Sequence, residues 1–259
     1  MNIVNQLSKA TISGLFPPRC AGCGGWEEKL FCDDCRLQLH FIHQPLCKVC
    51  GKPFDPLAMA DLCAECRPSR NSKPPEYTAL RSCFDFGGPL REAIHSYKYN
   101  GQSSLADLLA QELADFWLCD CKGTLQTPPC DLITPVPLHW WRAYRRGYNQ
   151  SELLANQLAL HINVPTKVLL RRIKPTRPQV ELHRDQRAEN VKNAFQINAA
   201  MTSIIKEKTI LLIDDVCTTG ATLRECAKAL KKGGATAVYA LTVARQIAQQ
   251  TIYENDEEV

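Results

Sequence analysis

The stretch that decides the fold runs from Thr209 to Thr222 and reads T-I-L-L-I-D-D-V-C-T-T-G-A-T. Four apolar residues, Ile210, Leu211, Leu212 and Ile213, lead into two adjacent carboxylates, Asp214 and Asp215. A continuous apolar run bounded by turn chemistry predicts a strand buried on both faces. A short Thr/Gly loop follows, and then A-T-L-R-E-C-A-K-A-L-K-K-G-G, a helical pattern that ends on glycines. Strand, loop and helix N-terminus in this order make an anion cradle, because the first helical amides lack partners and carry the positive end of the dipole. Thr218, Thr219 and Thr222 supply hydroxyls, and Gly220 between them permits a tight loop.

Two carboxylates at the end of a buried strand cost free energy if they stay unpaired. A sugar 5-phosphate meets both requirements. The loop amides and threonines would hold the phosphate, and the acids would accept hydrogen bonds from two neighbouring ribose hydroxyls. An ordinary strand followed by a helix capped by Thr218 or Thr219 accounts for the loop but gives no reason for the acids.

Upstream, Asp131 to Val136 (D-L-I-T-P-V) predicts another buried strand. It runs into P-L-H-W-W-R-A-Y-R-R-G-Y-N-Q-S-E-L-L-A, where Trp140, Trp141, Arg142, Tyr144, Arg145, Arg146 and Tyr148 interleave aromatic and basic character. Stacking aromatics with phosphate-contacting cations suit single-stranded nucleic acid. Arginines after a strand end equally suit a diphosphate, and an exposed loop with packed aromatics is the plain alternative. Further strands are expected at Tyr77 to Phe86 and near Lys167 to Ile173. Helices are expected from Gly87-Gly88-Pro89 to about Tyr99, over 103 to 118, and over about Asn149 to His161. Lys98 falls on a helix end. Residues 174 to 193 are polar, basic and Pro-bearing, which fits a loop that closes over a site. Alternating strands and helices predict an α/β fold with a parallel sheet.

The chain holds fourteen cysteines in 259 residues. Eight form four C-x-x-C pairs: Cys20/Cys23, Cys32/Cys35, Cys47/Cys50 and Cys63/Cys66. The unit C-x-x-C-G … C-x-x-C-R occurs twice, with Gly24 and Gly51, then Arg36 and Arg67, after the second cysteines. In a reducing compartment this reads as metal binding, not as disulfides or a thioredoxin-type site. Four thiolates suit a closed structural Zn²⁺ site, and Fe–S ligation is the lesser alternative. The repeat favours sequential pairing, four cysteines per ion; a crossed pairing stays open. The segment looks like a double zinc ribbon, folded largely by its metal. Such ribbons bind nucleic acid, bind protein or brace a neighbour. Cys83, Cys119, Cys121, Cys130, Cys217 and Cys226 show no ligand spacing, and Cys217 reads as an apolar filler.

The formal charge is +4. Eight thiolates and two Zn²⁺ would bring it to neutral, so global charge gives no argument for nucleic acid. Locally, residues 167 to 192 hold eight Lys/Arg, Arg171, Arg172 and Arg177 among them, against three acids. No stretch approaches the ~18 apolar residues of a membrane span. The first sixteen residues lack the apolar core of a signal peptide and read as a docking segment, which predicts a cytoplasmic location. The expected divisions are 1–16 docking segment, 17–68 ribbon, 77–247 catalytic-type domain and 248–259 acidic tail, with a linker over 67–76.

Three segments in order, D-L-I-T-P-V-P, R-R-G-Y-N-Q-S-E and I-D-D-V-C-T-T-G-A-T, follow the ribbon. R-P-Q-V-E-L and R-A-E-N-V-K-N-A-F lie between the last two. Together they resemble the ComF/GntX family, the competence protein F or phosphoribosyltransferase-like DNA utilisation proteins. The resemblance extends from about Phe16 to Arg245. It implies a type I phosphoribosyltransferase fold whose ligand is phosphoribosyl pyrophosphate (PRPP) with Mg²⁺. Asp214 and Asp215 would be the catalytic acids on the ribose hydroxyls. Thr218, Thr219, Gly220, Ala221 and Thr222 would hold the 5-phosphate. Val136 to His139, with Pro137, would form the pyrophosphate loop, and Arg142 and Arg146 would lie beyond it as ligands. The family's link to natural transformation implies single-stranded DNA as a partner, through Trp141, Arg145, Arg171, Arg172 and Arg177, and other competence proteins. No dedicated general base or nucleobase pocket stands out. A phosphoribosyltransferase with an unidentified acceptor and no DNA role is the alternative.

Overall fold

The structure is a computed structural model and describes residues 19–54, 60–68, 74–99, 101–118, 130–139, 141, 144, 146–174 and 184–247. The cysteine segment carries α1 (Asp33–Leu37). After it come β1 (Ala79–Asp85), α2 (Gly88–Tyr99), α3 (Leu105–Phe116), β2 (Leu132–Pro135) and α4 (Gln150–Ile162). Then follow β3 (Leu170–Arg172), α5 (Arg184–Val191), β4 (Phe195–Ile197) and α6 (Thr202–Ile205), which a 3₁₀ turn (Ala199–Met201) precedes. The last elements are β5 (Thr209–Cys217), α7 (Ala221–Lys232) and β6 (Ala237–Arg245).

β5 pairs in parallel with β6 on one side and with β2 on the other, and β1 closes the far edge in the order β1-β6-β5-β2. A central strand buries both faces, which is why its apolar run is unbroken. Leu211 and Ile213 join the core under α2, α3 and α4. Ile210 and Leu212 join the core under α7 and the β3–β4 pair. Each fully buried aliphatic contributes about 1.5–3 kcal/mol, so these four residues hold β5 in place despite the two acids at its end.

The edge strand β1 does not face water with its ladder groups bare. Ile42 N–H donates to Cys83 O (3.0 Å), Asp85 N–H to His40 O (2.8 Å) and Leu80 N–H to Val49 O (2.7 Å). The cysteine segment thus covers the edge, a common defence against edge-to-edge pairing. It also straddles the sheet. Cys20 and Cys35 pack into the core on the α2–α3 face, whereas Cys47, Cys50, Cys63 and Cys66 pack into the core on the α7 face.

Two local expectations change. The strand expected over Lys167 to Ile173 is shorter and pairs antiparallel with β4 in a separate two-stranded sheet. An isolated bridge, Ile133 to Thr166, and a hydrogen bond from Leu169 N–H to Thr134 Oγ1 (3.2 Å) join this region to the main sheet. Alternation of period two does not encode pairing direction; packing of Leu170 and Phe195 into the α7-side core decides it. Within the polar stretch 174 to 193, α5 forms because Val191 and Ala194 are fully buried in that same core. Residues 175–183 lie outside the described residues, as do the docking segment and the acidic tail. Among the described residues no helix is long and apolar enough to cross a membrane.

Candidate functional site

The C-terminal ends of β2 and β5 lie side by side, where parallel α/β sheets bind ligands. Val136 N–H donates to Ile213 O (2.9 Å), which sets the loop after β2 next to the acids. Val136 O in turn accepts from Asn149 Nδ2 (3.1 Å). Asp214, Val216, Cys217, Thr218, Gly220, Ala221, Thr222 and Leu223 line a small, partly open cleft of about 20 Å³. Gly220 has φ +75°, in the left-handed region, and stands as the N-cap of α7 without a side-chain cap hydrogen bond. Thr219 Oγ1 accepts from Ala221 N–H at a long 3.4 Å. Helix capping alone therefore does not explain the threonines, and the helix N-terminus opens on the cleft.

The acids are not equivalent. Ser151 Oγ donates to Asp214 Oδ1 (2.7 Å), and Asp215 N–H donates to the same oxygen (3.0 Å). Burial, and then the Asp215 charge beside it, push the Asp214 carboxyl up to about 7, against the pull of Ser151, Lys98 and the Asp215 amide. Asp215 is 7% exposed and forms an ion pair with Lys98 Nζ at 3.0 Å. Neither Ser151 nor Lys98 follows from sequence reasoning as a partner of the acids. The sole sequence signals are a serine in N-Q-S-E at a helix start and a lysine at a helix end. Ser151 is 63 residues from Asp214, so only the fold brings them together.

Arg146 donates to Gln150 Oε1 (3.1 Å) and to Tyr99 OH (3.0 Å), with its guanidinium 4.7 Å from the Tyr99 ring centre. Pro137 is buried beside Val136. Trp141 is 51% exposed and stacks on Tyr144, with ring centres 6.2 Å apart and planes at 20°. Arg171 donates to Gln196 across the β3–β4 pair (3.3 Å), and Arg172 lies over the Phe195 ring (5.3 Å). These two arginines thus belong to the small antiparallel sheet and not to the β2–β5 end. Arg142, Arg145 and Arg177 lie outside the described residues. Cys217 is 2% exposed and burial raises its thiol, which fits an apolar filler.

The cysteines gather sequentially. Cys20, Cys23, Cys32 and Cys35 form one quartet and Cys47, Cys50, Cys63 and Cys66 the other, each with all Sγ atoms within 4.8 Å. Four sulfurs at ~2.3 Å around a tetrahedral ion stand about 3.8 Å apart. Cys23 and Cys32 Sγ are 3.7 Å apart, and Cys50 and Cys63 Sγ 3.6 Å. The two halves repeat each other bond for bond. Cys32 N–H points at Cys20 Sγ (3.3 Å) and Cys63 N–H at Cys47 Sγ (3.4 Å). Gly24 and Gly51 N–H donate to Cys20 O and Cys47 O, each at 2.9 Å. Amides aimed at sulfur favour thiolate, so both quartets fit a structural Zn²⁺ with no open coordination position.

Residues 11–67 match the model of the double zinc ribbon domain, and residues 149–256 match that of the phosphoribosyl transferase domain. The chain is 31% identical to competence protein F of Haemophilus influenzae over 231 residues, covering 88% of this chain and 96% of that protein. The chain belongs to the competence protein F family. It is also similar to the DNA utilization protein YhgH of Escherichia coli, 32% identical over 82% of this chain and 96% of that protein. Adenine phosphoribosyltransferase of Saccharomyces cerevisiae is a more distant structural neighbour. It is 16% identical with a TM-score of 0.34, over 52% of this chain and 69% of that one. In this member of the competence protein F family the fold is a phosphoribosyltransferase-type parallel sheet flanked by helices and preceded by the ribbon.

Proposed function

We propose that this protein binds PRPP with Mg²⁺ at the β2–β5 end of its sheet and acts in natural competence, in the uptake, handling or use of incoming single-stranded DNA. One observation carries the ligand assignment: the acid pair Asp214–Asp215 stands beside a cleft formed by a left-handed glycine and an open helix N-terminus. A ribose 5-phosphate needs both features at once. The acids take the ribose hydroxyls, and Thr218, Thr219, Gly220, Ala221 and Thr222 take the 5-phosphate. Val136, Pro137, Arg142 and Arg146 would hold the diphosphate. Mg²⁺, brought with PRPP, would neutralise charge on the diphosphate, and the carboxylates of Asp214 and Asp215 are oxygen donors of the kind that suits it. The names of the relatives support the DNA role, as do the exposed Trp141–Tyr144 stack and the basic residues Arg145, Arg171, Arg172 and Arg177. Other competence proteins would dock on the ribbon, and the thiolate quartets fit a cytoplasmic, reducing location.

The test is calorimetric titration of the zinc-loaded protein with PRPP and Mg²⁺, with the Asp214→Asn/Asp215→Asn double variant as control. Binding that the variant loses supports the assignment. A wild-type chain that produces no heat would overturn it.

A second reading is an active phosphoribosyltransferase of nucleotide metabolism with no DNA role. The complete acid pair favours it, since negative charge beside C1 stabilises an oxocarbenium-like transition state. Pyrophosphate release on addition of an acceptor, with no affinity for single-stranded DNA at low salt, would select this reading.

A further inference from the structure

The last turn of α2, Tyr97-Lys98-Tyr99, is bonded at several points to residues 146–151. Tyr97 OH donates to Gln150 O (2.7 Å) and Tyr148 OH donates to Tyr97 O. Gln150 Nε2 donates to Lys98 O (3.4 Å), and Arg146 ties Gln150 to Tyr99. Tyr97 is fully buried. Two segments far apart in the chain are thereby fixed as one unit, and each sends one side chain to one acid. Ser151 reaches Asp214 Oδ1 from the α4 side, and Lys98 reaches Asp215 Oδ1 from the α2 side.

Both contacts use Oδ1. Ser151 Oγ and the Asp215 amide hold Asp214 at Oδ1, and the closest approach of Lys98 Nζ to Asp215 is also to Oδ1. Two adjacent acids, each fixed by a different neighbour, present the pair of oxygens that a vicinal diol requires. Lys98 is well suited to hold the second. Its side chain is largely covered, and the helix end that carries it is braced by the buried Tyr97.

We infer that Lys98 is a positioning residue of the site: its ion pair keeps the buried Asp215 carboxylate charged and fixed in the orientation that receives a ribose hydroxyl. This rests on the PRPP reading of the cleft. Without Lys98 the Asp215 carboxylate is mostly buried, unpaired and next to Asp214. It must rotate, draw in water or take up a proton, and each response spoils the acceptor pair. The phosphate cradle at 218–222 does not depend on Lys98, so ribose recognition and phosphate recognition should separate.

The experiment uses the full zinc-loaded chain and calorimetry with two probes, PRPP with Mg²⁺ and inorganic phosphate. Lys98→Met should weaken PRPP by about tenfold or more and change phosphate affinity less than about twofold, with zinc content unchanged. Lys98→Arg should recover part of the loss. A merely structural role would weaken both probes together and would show in the melting temperature. Should Lys98→Met fail to fold, Lys98→Gln keeps a neutral donor, and a loss of about threefold or more for PRPP alone is expected. Wild-type binding of PRPP matched by Lys98→Met or Lys98→Gln overturns this inference and leaves the PRPP reading standing. A wild-type chain that does not bind PRPP overturns both.

Discussion

The two repeat glycines of the ribbon make a matched pair for testing how the ribbon is joined to the sheet. Gly24 and Gly51 follow equivalent cysteines and have φ of +76° and +66°. A Cβ on Gly24 would meet nothing within 4 Å. On Gly51 it would lie closer to the Leu80 carbonyl oxygen than real Cβ atoms approach, and against backbone that cannot swing aside. Gly24→Ala therefore costs only the left-handed conformation, about 1–2 kcal/mol. Gly51→Ala carries the same cost plus an enforced backbone shift of about 1–3 kcal/mol. It also strains the Leu80 N–H to Val49 O bond, worth about 1 kcal/mol. The difference is about 2–4 kcal/mol. At roughly 2–4 °C per kcal/mol for a chain of this size, Gly51→Ala should melt at least about 5 °C below Gly24→Ala. Thermal melting of both zinc-loaded variants, with zinc content measured in parallel, decides the matter. Equal melting temperatures would refute the claim that the second quartet is seated on β1.

The carboxyl of Asp214, raised to about 7 against an ordinary 3.8, binds a proton that the unfolded chain releases. Its contribution to stability is thus present at low pH and lost as pH rises through that window. Asp214→Asn should accordingly gain melting temperature relative to wild type at about pH 8 and little below about pH 4; a gain that does not vary with pH refutes this. Zinc release to a chelator should be biphasic, because Cys23 is exposed and Cys32 half-buried while the second quartet is wholly buried. A colorimetric zinc assay should show two ions per chain, and Cys23→Ser should remove the fast phase alone. Affinity for single-stranded DNA should fall steeply with salt. In Trp141→Ala it should fall by about 1–3 kcal/mol at fixed salt, the worth of one base–aromatic stack. Fluorescence anisotropy reads both, and a salt-independent affinity would count against the DNA role.

Sequence carried the elements whose physics is local. The apolar run 210–213, bounded by turn chemistry, fits a strand buried on both faces, and it is one. The left-handed glycines and the doubled C-x-x-C units fix their own geometry, so the knuckles and the repeat were legible in advance. The cleft at the end of β5 is local for the same reason: acids, Thr/Gly loop and helix start are contiguous in the chain. Tertiary structure decided what joins distant segments. Sequence favoured sequential pairing of the thiolate quartets without excluding a crossed one; the fold makes it sequential. No sequence pattern could show that Ser151 and Lys98 divide the two acids between them. Period two could not give the direction in which β3 pairs, because alternation records burial and not orientation. Nor could it show that the ribbon straddles the sheet, one quartet to each face. Short-range conformational preference is written residue by residue, but the partner of a buried charge is whichever group the packing of the whole core brings within 3 Å.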